Sequence, residues 1–152
     1  MYLIYRDFHA KKPTLATMNI HALDKALQEI IAKRNRLQHL DYSNPQYDDL
    51  EQALHDLEDD FQDRYGDYLE GVLRELHDRH CPDTDVLYPI AYIAKAYSVN
   101  ANNEFVVKYS DGVYVEMDQY PGKETRLAFA PNPMRVVLNV GNERQEVVWE
   151  AR

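Results

Sequence analysis

The sequence predicts an α+β fold: an N-terminal antiparallel helical hairpin plus a short helix, then a five-stranded antiparallel β-meander packed on helices. Three observations predict it. Apolar residues recur at three- and four-residue steps up to about residue 97. After residue 103 they alternate in steps of two. The alternating runs are separated by Asp111-Gly112, Pro121-Gly122, Pro131-Asn132-Pro133 and Gly141-Asn142. With 152 residues, the chain is read as a single domain, 1–152, with the hairpin at 19–80, the short helix at 86–97 and the sheet at 104–150.

The first helix is expected from about 19 to 40. Ile20, Leu23, Leu27, Ile30, Ile31, Leu37 and Leu40 form its stripe, Asn19 or Thr17 can cap it, and Lys33, Arg34 and Arg36 suit its negative end. Arg34 falls on the apolar stripe, so it must snorkel or meet an acid on the next helix. Asn44-Pro45 then signals a second start, with Asp48 and Asp49 at the positive end of the dipole. No breaker follows until Cys81-Pro82. Leu50, Leu54, Leu57, Phe61, Tyr65, Tyr68, Val72 and Leu76 repeat every eleven residues, the period of a nearly straight stripe. Setting Leu37 opposite Leu50 places Ile30 at Leu57 and Arg34 within a turn of Glu51 and Glu58. A helix of this length, about 52 Å, exceeds the diameter of about 38 Å expected for a globule of this size. It is therefore expected to protrude, or to bend at Gly66 or Gly71.

Pro89 fits only the first turn of the short helix, whose buried side is Ile90, Ile93, Ala94 and Tyr97, and Asn100–Asn103 ends it. Strands are expected at 104–109, 113–119, 125–130, 134–140 and 143–150. A three-residue loop at Ser110–Gly112 with Gly112 left-handed pairs Val107 with Val115 and Phe105 with Met117. A two-residue turn at Gly141-Asn142 pairs Val136 with Val147 and Met134 with Trp149, with no bulge. One face is then apolar, and the other carries Lys108, Glu116, Asp118, Arg126, Arg135 and Glu146. Tyr2-Leu3-Ile4-Tyr5 is a candidate sixth, edge strand, and a small closed barrel is the alternative architecture.

Charge is concentrated. The chain carries a net −9, and residues 41–85 alone hold 15 acidic against 3 basic side chains. Such a balance argues against nucleic-acid and anionic-membrane partners. Cys81, the one cysteine, admits no intramolecular disulfide, and no apolar run reaches signal-peptide or membrane-span length. The location expected is cytoplasmic.

Two groups of residues could carry chemistry. Asp56, Asp60, Asp63, Asp67 and Glu70 recur at steps of 4, 3, 4 and 3, roughly opposite the apolar stripe of the second helix. They form either a solvated face or a carboxylate rail that docks a basic protein. His77, His80 and Cys81 lie at the helix end, where the histidines complement the dipole or gather a zinc-like divalent ion. No second ligand pair and no HExxH accompanies them, and no phosphate-cradling glycine loop or nucleophile elbow occurs. Of the twelve tyrosines, Tyr114 and Tyr120 are expected at exposed turns, where they could serve recognition. The leading expectation is a non-catalytic interaction protein, of inhibitor or immunity type, that binds a basic partner and needs no cofactor. The alternative is a small metal-dependent enzyme at His77, His80 and Cys81. A ligand on the sheet's polar face is a third reading, and a homodimer is a further possible assembly.

Overall fold

The computed structural model describes residues 18–152; the Tyr2–Tyr5 strand lies outside the described residues. Helices α1 (Ile20–Gln38) and α2 (Tyr47–His80) are followed by a 3₁₀ turn, Pro89–Tyr92, and six strands: β1 (Tyr97–Val99), β2 (Phe105–Val107), β3 (Val113–Val115), β4 (Thr125–Ala130), β5 (Arg135–Val140) and β6 (Arg144–Glu150). The protein is α+β, and the described residues form two sheets, β1-β2 and β3-β4-β5-β6, each paired antiparallel. The expected single five-stranded meander is therefore replaced by six strands in two sheets.

The helices also depart from expectation in detail. Asn19 does cap α1, accepting from the Ala22 N–H at 2.9 Å. Asn44-Pro45, by contrast, precedes α2 instead of starting it: the Asn44 carboxamide accepts from Gln46 N–H at 2.9 Å, forming a turn, and the helix begins at Tyr47. The helix runs unbroken through Gly66 and Gly71, and its buried residues extend from Leu50 to His77, nearly its whole length. Beyond Tyr65 the buried line is Leu69, Leu73 and Leu76, while Tyr68 and Val72 are only partly covered. The shift follows a change of partner. The first half of α2 meets α1, whereas the second meets Tyr92 and Trp149, whose ring stands edge-on to Tyr68 at 6.3 Å.

The helix expected at 86–97 is a single 3₁₀ turn, after which Tyr97–Val99 is already strand. Its backbone groups are claimed from outside. Arg34 donates through Nη1 to the carbonyls of Ile93 and Ala94, both at 3.0 Å. The Tyr97 hydroxyl accepts from Ala94 N–H, and the Asn35 carboxamide bonds both the N–H and the C=O of Tyr97. A helix would need those same groups for itself. Asn100–Asn103 is accordingly the turn of the β1-β2 hairpin, with Asn103 at φ 62°.

Strand pairing differs for a similar reason. β2 pairs with β1 (Val107 opposite Tyr97), and β3 pairs with β4 (Val115 opposite Thr125), so the expected Val107–Val115 and Phe105–Met117 pairs do not form. Gly112 does take a positive φ, 113°, but the demand is steric: a Cβ there would stand 2.6 Å from the Leu127 carbonyl oxygen. The β5-β6 connection is a three-residue turn, closed by Glu143 N–H to Val140 C=O, and the ladder bulges between Val136 and Val137. The bulge places Trp149 opposite Val136 and Val147 opposite Val137, on different faces. Val147 is left 55% exposed.

Leu127, Phe129, Val136 and Leu138 form the helix-facing core, with Phe129 against Tyr92 at 5.9 Å. The opposite face is not free for a ligand. Arg135, Gln145, Asn139 and Arg126 donate to the carbonyls of Phe105, Val107, Lys108 with Asp111, and Gly112, respectively. The 105–112 segment thus lies across it, bound through its backbone, and Ala128 and Ala130 leave room beneath.

Candidate functional site: the acidic face of α2

Helix α2 carries twelve carboxylates against three arginines. An amphipathic helix with one buried stripe must turn the remaining side chains to solvent. Asp56, Asp60, Asp63 and Asp67 are exposed, and Glu70 is half-buried. Two members of the row are answered within the helix: Asp60 by Arg64 at 3.1 Å and Glu70 by Arg74 at 2.6 Å, both four residues on. Asp56 accepts, among the described residues, only from the Gln52 amide. Asp63 and Asp67 form no ion pair among the described residues. Exposed pairs at this spacing contribute only about 0.3–0.5 kcal/mol, so the row as a whole keeps its repulsion and its field.

At its C-terminal end the row meets a groove of about 580 Å³ between α2 and residues 86–91, lined by Glu70, Arg74, Val86, Leu87, Tyr88 and Ala91. Leu87 is 46% and Tyr88 75% exposed. The largely buried helix expected over 86–97 would cover both. The signal was Pro89, which disfavours helical backbone at the preceding residue; Tyr88 is extended, at φ −61° and ψ 143°. Tyr114 is exposed, as expected. Tyr120 is instead partly covered: its hydroxyl donates to Glu146 and accepts from Arg144, whose guanidinium lies over the ring. The Tyr120 hydrogen bond and then Arg144 hold the Glu146 carboxyl below its ordinary range.

The other sequence-derived group does not converge. His77 is 2% exposed and both its ring nitrogens are occupied. The Thr84 carbonyl can only accept, so Nδ1 carries the hydrogen, at 2.8 Å. Nε2 then accepts from the Tyr92 hydroxyl at 2.9 Å, and Tyr92 in turn accepts from Leu87 N–H. His80 lies nearer the surface and is only half-buried. Among the described residues, no three His, Cys, Asp or Glu side chains are grouped so as to hold a metal ion.

Cys81 is fully buried, and burial pushes its thiol up to about 11 from an ordinary 9.0. At pH 8 the native thiol should therefore react with a disulfide reagent about 100-fold more slowly than the thiol of the denaturant-unfolded chain. Equal rates would contradict the burial argument. Because the folded state holds this proton more tightly than the unfolded one, the associated stability is intact below pH 9 and is lost as pH rises from about 9 towards about 11.

Fold and site together define an α+β protein with antiparallel sheets and an acidic, groove-ended helix face. Among the described residues, no helix is long and apolar enough to cross a membrane. The chain matches no protein-family model, no curated protein and no solved structure.

Proposed function

We propose that this chain is a non-catalytic protein-interaction module that binds a basic protein through the acidic face of α2, as an inhibitor or immunity-type protein would cover a basic enzyme surface. The observation that supports it most is the row Asp56, Asp60, Asp63, Asp67 and Glu70, exposed or half-exposed, in which Asp63 and Asp67 have no cation among the described residues. A charged row steers encounter, and an apolar groove at its end offers the desolvated anchor that charge alone does not supply. Self-association through this face is disfavoured, since two copies would bring like charges together. A buried free thiol suits a reducing compartment, and the proposal places the protein in the cytoplasm.

The test compares wild type with the D56K/D60K/D63K variant as bait in lysate of the source organism, across a salt ladder, with circular dichroism confirming that both are folded. Basic proteins held by wild type at low salt should be shed at high salt, and their affinity for the variant should fall at least about tenfold. Retention of the same proteins by the variant would overturn the proposal.

A further inference from the structure

One buried histidine holds up the wall of the groove at the end of α2. The His77 Nδ1–H donates to the Thr84 carbonyl at 2.8 Å, and its Nε2 accepts from the Tyr92 hydroxyl at 2.9 Å. The same hydroxyl accepts from Leu87 N–H at 3.1 Å. His77 and Tyr92 are both buried, and between Thr84 and Tyr92 lie Val86, Leu87, Tyr88 and Ala91, all lining the groove. The direction of each bond is fixed from the ends. A carbonyl can only accept and an amide N–H can only donate, so the chain closes only while His77 is neutral. Other ionisable groups do not answer a charge on the ring. Cys81 is a neutral, buried thiol, and Asp83, Asp85 and Glu116, around Thr84, are exposed. On α2 itself Asp78 is exposed, and Arg74 and His80 are basic. His77 forms no ion pair among the described residues.

We propose that protonation of His77 evicts Leu87 from Tyr92 and releases residues 86–88, a proton-operated switch on the groove. A phenol oxygen offers two positions in the plane of its ring. In the neutral state one carries the hydrogen to His77 and the other accepts from Leu87. The imidazolium donates through Nε2 and claims the first, so the hydroxyl hydrogen must turn to the second, where Leu87 N–H stands. Either that bond breaks or a buried donor is left without an acceptor, beside a buried charge without a counter-ion. Release of the loop admits water and relieves both. Thr84 keeps its bond, because Nδ1–H donates in both states, so the opening is confined to the Leu87 end. The attached form is therefore held at higher pH and lost as pH falls through the titration of His77. Leu87 and Tyr88 supply the apolar wall of the groove, so docking there should weaken as they leave. That consequence alone rests on the partner reading of α2.

An NMR pH titration of the full chain, following the His77 ring and the backbone amides together, tests it. As His77 takes up its proton, the Leu87 amide should move upfield and its hydrogen-exchange protection should fall at least about tenfold. Val86 and Tyr88 should shift at the same midpoint, while Leu27 and Ile30 in α1 keep their protection. Tyr92→Phe lacks the hydroxyl, so its Leu87 amide should be unprotected at every pH and show no step. A Leu87 amide indifferent to the His77 titration, or a step that persists in Tyr92→Phe, would sink the switch. So would loss of α1 protection at the same midpoint, or unfolding before His77 is protonated. None of these readouts needs a partner, so their failure and the failure of a basic protein to bind α2 are separate results.

Discussion

Replacing His77 by alanine is expected to lower the unfolding free energy by about 3–5 kcal/mol, whereas His80→Ala should change it by no more than about 0.5 kcal/mol. The two residues are three apart on one helix end, and a shared metal would make their losses comparable. The structure gives them different work. His77 fills a buried space beside Tyr92 and bonds both the Thr84 carbonyl and the Tyr92 hydroxyl. Truncation leaves a cavity, and it strands a carbonyl and a hydroxyl in a site that water reaches poorly. Thr84 also receives the Glu116 N–H on its side-chain oxygen, so the loosened loop would release β3's end as well. Among the described residues His80 has no such ties. Urea unfolding of both variants decides the matter, and equal losses would mean that the histidines act together.

Arg34→Ala should cost about 2–4 kcal/mol, and Arg34→Lys should recover less than half of that. Arg34 donates through Nε and Nη2 to one oxygen of Glu58, at 3.0 and 2.7 Å, and through Nη1 to two carbonyls. Its side chain is 18% exposed and that of Glu58 16%. One planar group thus joins α1, α2 and the end of the 3₁₀ turn, and a lysine ammonium cannot span the three. Removal leaves a largely buried carboxylate and two carbonyls without donors, so the loss should exceed that of any surface pair. Because the pair is shielded, the loss should depend little on salt. A double-mutant cycle with Glu58→Ala measures the coupling, expected at about 1–3 kcal/mol. A coupling near zero would show that the carbonyl bonds alone do the holding.

Much of the molecule was legible as pattern. The 3.6-residue period, the Asn19 cap and the long run without breakers place two helices within a few residues of their observed ends. Period-2 alternation finds the strands from residue 105 onward, whereas the positive φ expected at Gly112 is met for a different reason, the close Leu127 carbonyl, because the hairpin that called for it does not form. The acidic row follows just as directly, because a helix with one buried stripe exposes the residues opposite it. Leu87, Tyr88 and the groove beside them were hidden by reading Ile90, Ile93, Ala94 and Tyr97 as a helical stripe, although Pro89 marked the break.

What the sequence determines by itself is local: which stretches are helix or strand, which face is greasy, and where charge accumulates. These follow from backbone sterics and side-chain period within a few residues. Which strand pairs with which, and whether a polar residue is spare or spoken for, was decided only in the tertiary structure. β2 leaves β3 for β1, and residues 93–97 leave the helix, because Arg34, Asn35, Arg135 and Asn139 bind backbone groups 28 to 62 residues away. His77 is a core residue for the same reason. A buried backbone carbonyl or N–H must find a partner somewhere, and nothing in the neighbouring sequence says which distant side chain will supply it.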